Sequence, residues 1–278
     1  MKAELSFPCL KVIALDRLLH HEEQDPPRVE RLLASLSEQG ILRNPLMVAE
    51  RDGSLIVLDG VSRSLALRRM GIPHAVVQVV EDTDRCVRLE TWNHVVLGPP
   101  GEDILKGFET IPGVRIHTHP LENLRHSLAR RESILGVVLR DGEVYGLHGT
   151  MRDADLAQRL CQTVAAYRDR AEVQRTSETD LSALLSRYPD MSALVLFPHI
   201  RVQDVTHAAL NNSKLPMGIT RHLIRGRALG LNIPLTLLAG DSSLEEKNAR
   251  LQDMVCERIQ KGGVRLYQEA TYRFDEVG

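Results

Sequence analysis

Leu58-Asp59-Gly60-Val61-Ser62-Arg63 reads as a strand that stops on an acid and a glycine, then opens a helix with an arginine in its first turn. Free amides at a helix N-terminus, aided by the positive end of the helix dipole, cradle phosphate groups. An acid at the strand end can hold Mg²⁺ beside such phosphates. The same six residues also fit a plain turn between a strand and a helix. At His21-Glu22-Glu23, adjacent carboxylates on a loop offer a general base for a hydroxyl nucleophile, or simply a solvated acidic loop. Thr220-Arg221-His222, followed by Arg225 and Arg227, sets donors and cations around a threonine. That pattern suits fork-like recognition of a phosphate or carboxylate, or a charged surface face. The single tryptophan, Trp92 in Thr91-Trp92-Asn93-His94, serves either as core or as a pocket wall. His117-Thr118-His119 puts two imidazoles on one face of a strand, but no third ligand lies nearby in sequence, and zinc sites take three or four. His148, His199 and His207 read as ordinary.

These residues need elements to position them. Lys11-Val12-Ile13-Ala14-Leu15 predicts a strand leading into the His20 to Glu23 cluster. Asp25-Pro26-Pro27 supplies an N-cap and a proline-tolerant first turn, and Val29, Leu32, Leu33 and Leu36 follow at i, i+3, i+4 and i+7. That is an amphipathic helix, ended by Gly40. Two apolar runs, 46–49 and 55–58, flank Arg51-Asp52-Gly53-Ser54, a hairpin signal. Residues 62–70 predict a short helix and 75–80 a returning strand. Gly98-Pro99-Pro100-Gly101 can continue neither element type, so a domain boundary is expected there, giving domains 1–97 and 101–278. Beyond it the pattern mixes strands (114–118, 193–197, 264–267), a hairpin over 133–147 turning at Asp141-Gly142, and helices (121–130, 153–168, 180–187, 202–210, 244–260). An apolar segment covers 229–238. The fold class expected is mixed α/β.

Composition narrows the function classes. A chain of 278 residues with 43% hydrophobic content can bury one large or two modest cores. With 35 basic and 37 acidic residues the net charge is −2, which lacks the basic excess of a dedicated nucleic-acid binder. Cys9, Cys86, Cys161 and Cys256 are scattered without a CxxC pair, and the N-terminus carries no leader pattern, so reduced thiols and a cytoplasmic location are expected. No run approaches the roughly 18 apolar residues of a membrane-spanning helix. The helices over 153–187 are the one place where a DNA-reading helix-turn-helix could hide.

The order His21-Glu22-Glu23, amphipathic helix, Leu58-Asp59-Gly60-Val61-Ser62-Arg63, helix and strand resembles the ParB/sulfiredoxin-like domain. Thr91-Trp92-Asn93-His94 and Gly218-Ile219-Thr220-Arg221-His222, with Arg225-Gly226-Arg227-Ala228-Leu229, resemble the substrate-binding segments of free L-serine kinases on that fold. That family includes archaeal enzymes and a bacterial one of siderophore biosynthesis. The resemblance implies phosphoryl transfer from ATP or ADP to the hydroxyl of free L-serine, giving O-phospho-L-serine, with Mg²⁺ as cofactor. It implies Glu22 as catalytic base and Asp59 as the essential acid, holding Mg²⁺ through the phosphates. His21, Gly60, Val61, Ser62 and Arg63 would bind the nucleotide phosphates, and Trp92, Thr220, Arg221 and His222 the serine. Many ParB-like domains carry His or Asn where this chain has Ser62, which leaves that position its backbone role. The rival from another class is a ParB-like regulator that binds DNA and uses nucleotide as a switch; it requires a helix-turn-helix and a basic face.

Overall fold

A computed structural model of the chain describes residues 7–81, 83, 86–149 and 155–267, and the backbone of 271–274. The chain forms two compact units: Leu89–Arg221 is the second, and the segments up to Arg88 and from His222 together make the first.

The first unit begins with β1 (Cys9–Ala14), β2 (Leu18–His20), α1 (Pro26–Gln39), β3 (Ile41–Leu42), β4 (Leu46–Arg51), β5 (Ser54–Asp59), α2 (Val61–Arg69) and β6 (His74–Val80). β7 (Val87–Thr91) then carries the chain out of it. The Asp25 carboxylate accepts from the Arg28 amide at 3.1 Å, and Gly40 closes α1 at φ 65°, as the sequence predicts. At the β4–β5 turn Asp52 and Gly53 both have positive φ, 50° and 72°, the requirement of a tight hairpin. The five-stranded sheet runs β1-β6-β4-β5-β2, and its two edges differ. β1 pairs antiparallel with β6, whereas β2 pairs parallel with β5.

The second unit comprises β8 (Asn93–Leu97), α3 (Gly101–Glu109), β9 (Arg115–Thr118), α4 (Leu121–Ala129), β10 (Leu135–Leu139) and β11 (Val144–His148). α5 (Leu156–Arg168), β12 (Glu172–Thr176), α6 (Leu181–Arg187), β13 (Met191–Leu196) and α7 (Val202–Leu210) follow, and β14 (Thr220–Ile224) leads back. Its six strands form an antiparallel sheet in the order β12-β8-β13-β10-β11-β9. The boundary expected at 97–101 therefore falls inside this unit. β8 is an interior strand, and the Pro-Gly stretch merely turns the chain into α3, breaking an element without separating two cores. The helices expected over 153–187 are likewise no helix-turn-helix: β12 runs between α5 and α6 and pairs with β8.

The returning segment supplies β15 (Arg227–Leu229), β16 (Ile233–Pro234), α8 (Leu235–Ala239), α9 (Leu244–Gln260), β17 (Val264–Tyr267) and β18 (Thr271–Phe274). Ala228, Leu231, Ile233, Leu235, Leu238, Leu251 and Val255 complete the core begun by Val12, Leu46, Val57, Leu67 and Val76. Each Val, Leu or Ile among them contributes roughly 1.5–3 kcal/mol of burial, so the first unit requires both ends of the chain. Asn248 of α9 also exchanges hydrogen bonds with the Val12 backbone, at 2.9 and 3.0 Å. Among the described residues no helix is long and apolar enough to cross a membrane.

Candidate active site

Parallel pairing makes β2 and β5 end at the same edge of their sheet, with His20 opposite Val57. Glu22 follows the end of β2 by two residues, and Asp59 is the last residue of β5. Two carboxylates 37 positions apart in sequence thus arrive on neighbouring strand ends. His21 is buried, and its Nε2 lies 3.9 Å from Glu22 Oε1, which is only partly covered.

Beyond Asp59 the chain turns at Gly60, whose φ of 111° favours glycine. A Cβ there would also stand 3.0 Å from Leu46 Cγ and 3.1 Å from the Arg63 guanidinium, so conformation and space both call for glycine. No side chain caps the start of α2, which leaves its first-turn amides oriented to receive an anion. The helix is held from beneath: Ser64 Oγ donates to the Val61 carbonyl at 2.8 Å and lies 2.7 Å from His20 Nε2, tying β2 to α2. Arg63 donates to the carbonyls of Asn44 (3.0 Å) and Pro45 (2.7 Å), and its other nitrogen lies 3.2 Å from Asp59.

Asp59 also pairs with Arg227 of β15. Burial pushes the Asp59 carboxyl upward, but Arg63, Arg227 and Arg28 outweigh it, and its pKa ends below the ordinary value. The acid is therefore ionised at neutral pH. Arg227 is positioned by a buried amide: Gln78 Nε2 donates to the Gly226 carbonyl at 2.9 Å, and its Oε1 accepts from the Ala228 amide at 2.8 Å. The sequence reading groups Arg227 with Thr220-Arg221-His222, and the structure moves it to Asp59. Gln78 carries no sequence signal beyond being a polar residue inside an apolar strand.

The Thr-Arg-His segment does not act as one constellation. Arg221 and His222 are consecutive in β14, and successive strand residues point to opposite faces. His222 is buried, its ring edge-on to His21 at 5.4 Å, and belongs to the first unit. Burial, then the His21 ring and Arg51, hold its pKa well below the ordinary value; Asp59 and the Leu58 backbone act the other way and lose. It is a neutral imidazole at pH 7. His21 is equally enclosed, so both histidines line the interior behind the strand ends.

Within the second unit the Arg221 guanidinium lies 4.3 Å over the Trp92 ring and donates to Glu90 Oε2 at 3.1 Å. Trp92 is anchored through its amide, which donates to the Ile219 carbonyl at 2.8 Å. Its neighbours are all committed to structure. Thr91 Oγ1 and Asn93 Oδ1 each accept a backbone amide at 3.3 Å, and His94 Nδ1 meets the Tyr167 hydroxyl at 2.8 Å. Burial, followed by Arg168 and Arg175, lowers the His94 pKa to about 3. Of that tetrapeptide only Trp92 presents its side chain to another functional residue.

No family model matches the chain. An ATP-dependent L-serine kinase, SbnI of Staphylococcus aureus, is 25% identical over 242 residues, covering 85% of this chain and 87% of that protein. An ATP-dependent L-serine kinase of Staphylothermus marinus is 23% identical over 243 residues, 82% and 90% of the two chains. The structure of a free serine kinase variant in complex with AMP superposes with a TM-score of 0.72 at 14% identity, covering 86% of this chain and 98% of that one. These relatives bear out the resemblance to the free serine kinases. The mixed α/β fold is the one those kinases share.

For a chain with serine kinase relatives, the donor set can be tested for Mg²⁺. Asp59 is a hard oxygen donor kept ionised by its surroundings, and Mg²⁺ typically takes one or two carboxylates together with substrate phosphates. The residues fit an ion held chiefly by phosphates. Among the described residues no three His, Cys, Asp or Glu side chains close around one point.

Proposed function

We propose that the chain transfers the terminal phosphoryl group of ATP or ADP to the hydroxyl of free L-serine, releasing O-phospho-L-serine and the shortened nucleotide. The observation that carries this reading is the uncapped start of α2 behind Asp59-Gly60, with Asp59 paired to Arg63 and Arg227 and the parallel partner strand β2 leading the chain into Glu22. A phosphate chain seated on the amides of Gly60, Val61, Ser62 and Arg63 would meet the free end of α2, with the Arg63 and Arg227 guanidiniums against its charge. Phosphoryl transfer asks chiefly for positioning and charge stabilisation, which backbone amides and arginines supply. Glu22 is assigned as general base: it takes the serine hydroxyl proton as the oxygen bonds to the terminal phosphorus and the bridging P–O bond breaks toward the nucleotide. The enclosed His21, 3.9 Å from Glu22, is a support for that carboxylate more than a phosphate ligand. Asp59 would hold Mg²⁺ through the phosphates; the ion, when bound, neutralises charge on the transferring group.

The amino acid is assigned to Trp92, Thr220 and Arg221, with the guanidinium as the fork for a carboxylate. His222, buried against His21, is assigned to holding that histidine in place. The kinase names and the AMP complex of the relatives support nucleotide use here. Phosphorus NMR of purified protein with ATP or ADP, Mg²⁺ and a panel of hydroxy amino acids tests the reading. Phosphoserine should form with L-serine and one or both nucleotides. Nucleotide hydrolysis alone, or preference for another acceptor, would overturn it.

A further inference from the structure

Away from the residues assigned to phosphoryl transfer, three imidazoles gather at one edge of the second unit's sheet. β9 is the edge strand; His117 lies in it and His119 just after it, two residues apart and therefore on one face. β11 pairs with it antiparallel, His117 opposite Gly146 and Arg115 opposite His148, so His148 joins the same face. His119 and His148 meet Nε2 to Nε2 at 2.8 Å, with ring centroids 5.0 Å apart. The His117 ring stands 5.4 Å from that of His148.

Gly146 lies beneath this meeting point. A Cβ on it would come within 2.8 Å of His119 Cδ2 and 3.0 Å of His148 Nε2, so the missing side chain is what lets the rings converge. The second nitrogen of His148 is also arranged. Nδ1 lies 3.2 Å from the Glu132 carbonyl, which can only accept, so in that hydrogen bond Nδ1 is the donor. An imidazole that donates one N–H to a backbone carbonyl and turns its other nitrogen inward is the usual orientation of a metal-ligating histidine.

A hydrogen bond between His119 and His148 alone would not need the third ring. The three rings do not close around one point as they stand; His117 is exposed and has room to turn. We propose that His117, His119 and His148 bind a divalent transition metal ion, with a fourth position open to water. Imidazole sets suit zinc, copper or nickel, whereas Mg²⁺ prefers oxygen donors. The ion would clasp the edge strand β9 onto β11, chemically distinct from the carboxylate site at Asp59.

The test uses the full-length protein stripped with chelator and titrated with Zn²⁺ by calorimetry and with Co²⁺ by visible absorption. One saturable site is expected, with a tetrahedral Co²⁺ spectrum and a raised thermal unfolding temperature in Zn²⁺. His119→Gln and His148→Gln should each weaken Zn²⁺ binding by about tenfold or more, and His117→Gln by several-fold. Gly146→Ala removes no ligand, yet it should weaken binding by crowding the rings. No saturable binding, or unchanged affinity in the His119→Gln/His148→Gln double variant, would overturn the site. Should that double variant fail to fold, exposed His117 decides: unchanged Zn²⁺ affinity in His117→Gln refutes the three-histidine site.

Discussion

The two units set different proportions of arginine to carboxylate around their candidate binding residues. Around Asp59 in the first unit stand Arg63, Arg227 and Arg28, and their combined field overcomes the burial that would neutralise the acid. In the second unit Arg221 has a single carboxylate, Glu90, and spends its flat face on Trp92. The first arrangement leaves positive charge over, which suits a polyphosphate. The second is balanced and stacked in advance, which suits a small zwitterion whose carboxylate needs a rigid, two-pronged partner. The contrast makes the assignment of nucleotide to one and amino acid to the other a matter of charge, and exposes it to substitution at either end.

Asp59→Asn should have the largest effect on that contrast. It removes the ionised acid from among its arginines, and phosphoserine formation at saturating Mg²⁺ should fall by roughly a hundredfold or more. Unchanged activity at saturating Mg²⁺ would reduce Asp59 to a turn residue. The same substitution has a pH signature. The folded pKa of Asp59 is depressed, so its stabilising contribution is complete above the unfolded value of about 4 and is lost as pH falls through the lower folded one. Thermal unfolding followed from pH 7 downward should therefore drop more steeply at the acid end for the wild type than for Asp59→Asn; parallel curves would show that the arginines do not hold the acid.

Arg221→Lys probes the other side. An ammonium can keep the charge near Glu90 but cannot reproduce the planar fork or the stacking on Trp92. Losing a charge-assisted contact costs about 1.5–3 kcal/mol, roughly ten- to a hundredfold in kcat/KM for serine. Calorimetric nucleotide affinity should stay where it was. If instead nucleotide binding collapsed and serine dependence held, Arg221 would belong with the phosphates.

The smallest effect is expected at Ser62. Its assigned contribution is a backbone amide at the start of α2, which alanine retains, so Ser62→Ala should change phosphoserine formation by less than about threefold. A tenfold loss would restore a side-chain role at that position and weaken the cradle as drawn.

Much of the first unit was legible because its signals are local. Asp25 and Gly40 bracket α1, Asp52-Gly53 turns the hairpin, and Asp59-Gly60 stops one element and starts the next. The strands β2, β7, β8, β12 and β14 were not read, since their side chains alternate too little to reveal a buried face. Arg227 could not be matched to Asp59, because the pairing spans 168 positions and depends on both ends of the chain sharing a core. The domain boundary failed for the same reason: Gly98-Pro99-Pro100-Gly101 marks a turn, and sequence order conceals that residues after His222 return to the first unit. His148 reads as ordinary in the sequence because the strand pairing that brings it to His119 is invisible in composition.

The central claim is that Glu22, two residues past the end of β2, removes the serine proton and does nothing essential for nucleotide binding. Glu22→Gln keeps the size of the side chain and deletes its basicity. With ATP or ADP affinity measured on the same sample by calorimetry, phosphoserine formation should fall by roughly a hundredfold or more while affinity stays within about twofold, and Glu23→Gln should lose far less. A loss below tenfold in Glu22→Gln, or the larger loss at Glu23, would contradict the assignment.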